Sequence, residues 1–348
     1  MSVTSIEWAD RVWNPVSGCT KVSTGCKHCY AETMAERFFA RLYPPVEDER
    51  DFGRGVKEPY VRPRRFTDVQ THADRLDAPL RWRKPARIFV NSMSDLFHED
   101  VPDEFIAAVF GIVASSPQHT FLILTKRPER ARLWFAMLTS TAAMVTDGDG
   151  EVRWCIKHLD QHITRGFHCV LPPWPLPNVW LGVSVEDQAT ADQRIPILLL
   201  TPAAVRWVSA EPLLGPVNLH RIEHPEDGCH ASALQGQRDE NRYEFYHQLD
   251  WVVVGGESGP KARPCDVAWI RSVVEQCSAA GVPAFVKQLG AKPLDWSRAE
   301  PTGRFRTDPD TGRRQLQVVQ PKLRDRKGGD PSEWPDDLRV RQFPEARP

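Results

Sequence analysis

Three of the eight cysteines fall within eleven positions near the start of the chain, in Trp13-Asn14-Pro15-Val16-Ser17-Gly18-Cys19 and, six residues on, Cys26-Lys27-His28-Cys29-Tyr30. An odd number of thiols cannot pair off as disulfides, and clustered thiolates are soft ligands that suit zinc or an iron–sulfur cluster. Glycine precedes two of the three (Gly18 and Gly25), which lets the backbone come close to whatever the sulfurs hold. A cluster on three cysteines leaves one iron without a protein ligand, open to a small molecule carrying an amine and a carboxylate. A structural zinc site completed by His28 or by a distant cysteine satisfies the same residues.

The elements around this loop follow a rhythm. Met34, Phe38, Phe39 and Leu42 recur at helical spacing between Tyr30 and Tyr43, so the loop feeds a helix that Pro44-Pro45 ends. Short apolar runs then alternate with helical patterns, at 87–90, 120–124, 178–183, 205–208, 251–254 and 284–286. Buried strands alternating with helices predict a parallel sheet. With six to seven such units the expected fold is α/β, a partial (β/α) barrel, with a doubly wound sheet as the competitor. In either fold the residues just past each strand line the working face. Those positions hold Asn91, Ser92, Asp95, Lys126, Ser184, Glu186, Glu211, Gly256, Glu257, Lys287 and Gln288.

Lys and Arg number 45 against 46 Asp and Glu, so any polyanion contact must come from a local patch. One candidate lies between Arg54 and Arg87, where ten Lys/Arg face four Asp/Glu with Tyr60, Phe66 and Trp82 interspersed. Charges for phosphates and rings for bases are what a nucleic-acid groove needs, although a solvated basic loop has the same composition. The stretch from Pro44 to Lys84 reads as a long connection with a short helix near 66–80, and it is the candidate lid over the cysteine loop. Two segments, 139–177 and 218–248, interrupt the rhythm as insertions into a barrel spanning 1–290. The first carries Cys155, His158, His162, His168 and Cys169 at spacings that match no standard zinc pattern. The remainder, 291–348, is rich in Pro, Arg and Asp and is expected to wrap the surface or remain partly disordered. Sparse cysteine, no signal-peptide layout and no membrane-length apolar run point to a cytoplasmic protein with no membrane partner.

Asn14-Pro15 with Gly18-Cys19, then Gly25-Cys26-Lys27-His28-Cys29-Tyr30-Ala31, resembles the cluster loop of radical S-adenosylmethionine enzymes, in the branch that includes spore photoproduct lyase. The gap between the first two cysteines is six residues here and three in that motif, and His28 stands where an aromatic residue usually lies. Across the barrel region, Asn91-Ser92-Met93-Ser94-Asp95-Leu96-Phe97, Leu124-Thr125-Lys126-Arg127-Pro128, Trp180 to Glu186, Ser209 to Gly215 and Gly255 to Gly259 resemble a phage- and prophage-associated family carrying the same three cysteines.

The resemblance implies a [4Fe–4S] cluster on Cys19, Cys26 and Cys29, with S-adenosylmethionine chelating the fourth iron. It also implies hydrogen abstraction by a 5′-deoxyadenosyl radical, and a reductant such as flavodoxin or ferredoxin. His28, Tyr30, Asn91, Ser92, Lys126, Ser184, Glu211, Gly256 and Glu257 become candidate cofactor contacts, and a nucleotide or nucleic acid the candidate substrate. The competing expectation is a non-catalytic zinc- or cluster-stabilised nucleic-acid-binding protein.

Overall fold

A computed structural model describes residues 4–42, 46–51, 57–142, 150–162, 172–223, 228, 230–236, 247–295, 305–307, 314–316 and 323–345. Seven strands form one all-parallel sheet: β1 (Arg11–Trp13), β2 (Arg87–Val90), β3 (Thr120–Thr125), β4 (Val179–Val185), β5 (Val205–Ala210), β6 (Trp251–Gly255) and β7 (Ala284–Gln288). Their order in the sheet is their order in the chain, and the sheet curls through 204° into a half-barrel. The predicted partial (β/α) barrel is therefore the observed fold. The strands are short and apolar because both faces of a parallel sheet are covered; all seven residues of β4 are buried.

The chain divides into two compact units, Met1–Asn178 and Val179–Pro348. In the first, β1 pairs with β2 (Arg11 opposite Ile88) and β2 with β3 (Arg87 opposite Thr120). The connecting helices are α1 (Tyr30–Leu42), α2 (Asp103–Ala114) and α3 (Pro128–Ala142), the last opening on a proline whose missing N–H costs nothing at that position. Ten of the twelve α2 residues are buried, more than one sheet-facing stripe accounts for. The excess faces α4 (Gly150–Asp160), a helix inside the segment read as an insertion. A Cβ on Gly111 of α2 would fall 2.8 Å from Cys155 O, so the two backbones touch. Cys155 is buried at that contact, as are Val152 and Leu159. It packs as a small apolar residue, whereas the sequence had left it as a zinc candidate; His168 and Cys169 lie outside the described residues.

The connection before Lys84 also differs from expectation. Val46–Asp51 and Lys57–Arg62 pair as an antiparallel ladder, and Gln70–Thr71 pairs with Val16–Ser17 just before the first cysteine. In place of one helix near 66–80 stand two 3₁₀ turns, Ala73–Arg75 and Pro79–Arg81. Pro79 removes an N–H that a continuous helix needs. Trp13 Nε1 and His119 Nε2 fix the segment by bonding to Arg75 O at 2.8 Å and Trp82 O at 2.9 Å.

In the second unit β4 pairs with β5, β5 with β6 and β6 with β7. Helix α5 (Gln188–Leu199) starts on a capping box in which Asp187 Oδ1 accepts Thr190 N–H at 2.9 Å. Helix α6 (Val267–Ala280) starts on Asp266 and stops at Gly281, whose φ of 69° is left-handed. The described residues of the tail include paired segments. Pro293–Leu294 pairs with Cys265–Asp266, Phe305–Thr307 with Arg314–Leu316, and Trp334 is buried.

Candidate functional site

The three-cysteine loop leaves the C-terminal end of β1, the end at which parallel α/β sheets place their chemistry. It is pinned on two sides. Gly18 N–H donates to Met93 O at 3.2 Å, and Cys19 N–H to Phe66 O at 2.9 Å. Gly18 sits at φ 92°, and a Cβ there would lie 2.7 Å from Asp68 O and 2.8 Å from Phe66 O, so glycine is the residue that fits. Asp68 is fixed in turn by Arg62 through two bonds of 2.6 Å, and Arg64 Nη2 bonds Asp68 O and Ser17 O. The connection proposed as a lid is thus, over residues 62–72, the wall that holds the first cysteine.

At the other end of the loop, Cys29 O accepts Thr33 N–H at 3.2 Å and starts α1. Tyr30 donates its hydroxyl to Ser92 O. None of the three cysteines is in a disulfide and each is partly exposed. Burial, then Asp95, pushes the Cys19 thiol up to about 12 despite Arg127 beside it. Burial also raises Cys29, against backbone N–H groups of Glu32 and Ala31 that favour its thiolate. A bound cation would convert these thiols to thiolates by expelling their protons. Among the described residues no three Cys, His, Asp or Glu side chains already stand as a closed ligand set. The donor chemistry nevertheless fits a thiophilic metal or cluster: three thiols on one short loop, a glycine where backbone crowds, and a cation against the first sulfur.

Asn91 and Ser92 serve the loop directly. Asn91 Oδ1 accepts Val16 N–H at 3.2 Å, and Ser92 Oγ donates to Asn14 Oδ1 at 3.3 Å. Lys126 gives Asp95 Oδ2 its backbone N–H at 3.0 Å, and its side chain and that of His28 are half-buried. The sequence reading passed over the next residue. Arg127 is buried, and its guanidinium reaches Cys19 Sγ at 3.5 Å, Thr20 Oγ1 at 2.7 Å, Asp95 Oδ2 at 3.3 Å and Glu99 Oε2 at 2.9 Å. Its position just past β3, in a run of three polar residues before a proline, was the available signal.

The second unit holds the other predicted contacts, and each has partners within that unit. Ser184 Oγ donates to Glu211 O at 3.2 Å; the Glu211 carboxylate accepts Lys287 Nζ at 2.8 Å and Gln288 Nε2 at 3.0 Å. Glu257, nearly buried, takes a bidentate grip from Arg263 at 2.9 and 2.7 Å. Glu186 and Arg194 form a further, buried ion pair at 3.2 Å. A Cβ on Gly256 would fall 2.5 Å from Leu289 O, so this glycine is required by close packing of strand ends. Four of the ten cations in the basic stretch are ion-paired among the described residues: Arg62 with Asp48 and Asp68, Arg81 with Asp77, Arg87 with Asp10 and Lys57 with Glu49. Arg65, Arg83 and Lys84 are exposed.

The family described as "Protein of unknown function (DUF5131)" matches residues 3–323, which takes in the cysteine loop and every strand of the sheet. The chain belongs to that family. No curated protein and no solved structure matches it. Among the described residues no helix is long and apolar enough to cross a membrane.

Proposed function

We propose that the chain is an iron–sulfur enzyme of the radical S-adenosylmethionine type, acting by hydrogen abstraction. One observation carries the reading: three free, partly exposed thiols occupy the first strand-to-helix loop of a parallel half-barrel, and backbone bonds from two other segments fix the first of them. Cys19, Cys26 and Cys29 would hold a [4Fe–4S] cluster. With the cluster and S-adenosylmethionine bound there, radical chemistry would become available on delivery of one electron by a reductant such as flavodoxin or ferredoxin. Gly18 and Asn91 set the backbone of the loop, Tyr30 and Ser92 tie its far end to the segment just past β2, and Arg127 faces the first sulfur. A nucleotide or nucleic acid is the substrate class to test first, with the exposed Arg65, Arg83 and Lys84 as its phosphate contacts.

The test is anaerobic purification of the full chain. Brown protein with stoichiometric iron and sulfide, lost in Cys26→Ala, is the expected result. Reduction with S-adenosylmethionine present should then release 5′-deoxyadenosine. Colourless protein carrying zinc on the same cysteines ends this reading in favour of a structural metal site. A cluster that yields no 5′-deoxyadenosine leaves a redox or structural iron–sulfur protein.

A further inference from the structure

We infer that Arg127 is the positioning residue of the three-cysteine loop. It holds Cys19 in ligating position and supplies the fixed positive charge against the group the thiolates bind. The inference rests on the reading that Cys19, Cys26 and Cys29 ligate one group together.

Arg127 gathers three separate loops of the first unit. Its Nη2 bonds Thr20 O at 3.2 Å and Thr20 Oγ1 at 2.7 Å, holding the residue after Cys19 at two atoms. Nη1 lies 3.5 Å from Cys19 Sγ and 3.3 Å from Asp95 Oδ2, and Nε lies 2.9 Å from Glu99 Oε2. Asp95 itself accepts from Phe97 N–H, Thr125 Oγ1 and Lys126 N–H, so the carboxylate that orients the guanidinium cannot swing away. Thr20 Oγ1 also meets the buried His98 Nε2 at 2.8 Å, bracing the hydroxyl that Arg127 grips. A planar fork with five donors can serve four partners at once, which a lysine cannot.

The sign of the electrostatic effect follows from charge. Adding an electron to a thiolate-bound cluster makes it more negative, and a nearby cation stabilises that state. Arg127 therefore raises the reduction potential, and the carboxylates paired with it, Asp95 and Glu99, lower it. Groups that hold a metal's ligands in place in this way change metal affinity by roughly 10–100-fold.

Two readouts test the assignment on the full chain. Cobalt(II), followed by thiolate charge-transfer absorption, probes the three-thiol site whatever its native occupant; iron and sulfide content with an EPR redox titration probes the cluster. Arg127→Met is expected to bind cobalt(II) roughly 10–100-fold more weakly than wild type, and to hold any cluster at a more negative potential. Arg127→Lys recovers the potential but only part of the affinity, and Glu99→Gln moves the potential the opposite way, upward. A purely structural role would lower occupancy without these opposed shifts. Wild-type cobalt affinity in folded Arg127→Met overturns the proposal. If that variant does not fold, wild-type affinity in Arg127→Lys overturns it. Wild-type protein that shows thiolate-bound cobalt but takes up no iron or sulfide removes the cluster reading, and the cobalt affinities then decide the role of Arg127 alone. Absence of cobalt thiolate bands in wild type overturns both.

Discussion

Asn91, just past β2, and Val16, three residues before Cys19, are joined by a hydrogen bond in which Val16 N–H donates to Asn91 Oδ1 at 3.2 Å. Asn91 makes this bond from left-handed backbone, φ 61°, a conformation that asparagine tolerates better than other residues with a Cβ. Its own N–H donates to Trp13 O at 2.8 Å, so one residue closes both ends of the turn leaving β1. Among the described residues its Nδ2 is buried without a partner, a donor placed beside the cysteine loop.

Replacing Asn91 separates backbone strain from the hydrogen bond. Asn91→Ala loses the bond to a buried N–H, at about 1–3 kcal/mol, and adds roughly 1–2 kcal/mol of left-handed strain. Asn91→Gly loses only the bond. Urea unfolding should rank the variants wild type, glycine, alanine in falling stability. Equal losses for glycine and alanine would show that the left-handed turn is not maintained in solution.

Gly256 gives a test of packing against cofactor contact. Its Cβ would meet Leu289 O at 2.5 Å and Cys265 Cβ at 2.9 Å, both beyond the reach of simple side-chain rotation. Gly256→Ala is expected to destabilise the unloaded protein by about 1–3 kcal/mol or more, as overpacking does. Unchanged thermal stability together with weakened S-adenosylmethionine binding would instead return Gly256 to the cofactor role that its sequence position suggested.

Acid should weaken the wall around the first cysteine. His72 Nε2 meets Ser17 Oγ at 2.7 Å, and burial, then Arg75 and Arg64, lowers its pKa from 6.5 to about 4. Between those values the unfolded chain binds a proton that the folded chain refuses, so stability falls as pH drops from about 6.5 toward 4. His98, His119 and His158, all lowered chiefly by burial, act in the same direction. Asp10 and Asp68, held low mainly by Arg87 and Arg62, add further loss as pH falls below the usual carboxylate range. Denaturation midpoints measured from pH 7.5 to 4.5 should decline, and His72→Gln should flatten the decline. An identical pH profile in that variant would remove His72 from this account.

The sheet was legible because parallel strands are buried on both faces and read as apolar runs, as in Val179–Val185, and because each run ended in polar residues. The cysteine loop was legible for a different reason, three thiols within eleven positions, whereas the strand before it, Arg11–Trp13, is short and buries only Trp13 fully. What those polar ends do was not legible. Glu257 is held by Arg263, and Glu211 by Lys287, 76 residues further along the chain. Pairing across that separation leaves no local pattern. Arg127 was missed for a related reason: one position separates it from Lys126, and only the fold decides which of two neighbouring cations turns toward Cys19. Helix α4 was hidden because the apolar residues it buries, Val152, Cys155 and Leu159, make sense only against α2.

The C-terminal segment leads to a prediction about the exposed edge of the sheet. β7 is the last strand, and an uncovered edge strand invites pairing with another chain. Residues 340–342 cover it: Val286 N–H donates to Val340 O at 2.8 Å, Gln342 N–H to Ala284 O at 2.9 Å, and Phe285 and Arg341 form an antiparallel bridge. Arg341 lies over the Phe285 and Trp334 rings, and Phe343 packs against Trp251 and Phe285 at 5.4 and 5.3 Å. Trp251 Nε1 donates to Gln342 O at 2.8 Å. The strap lies beyond the family match, which ends at 323, yet it closes the edge of a sheet whose strands all lie within the match. Deleting residues 334–348 should therefore leave the chain able to fold but self-associating with rising concentration, seen by sedimentation, with Trp251 emission shifted to the red. Phe343→Ala, which keeps the backbone pairing, should cost roughly 1–2 kcal/mol, part of the value of a fully buried side chain, without association. A truncated chain that sediments as wild type at every concentration would show that the strap contributes packing and does not protect the edge.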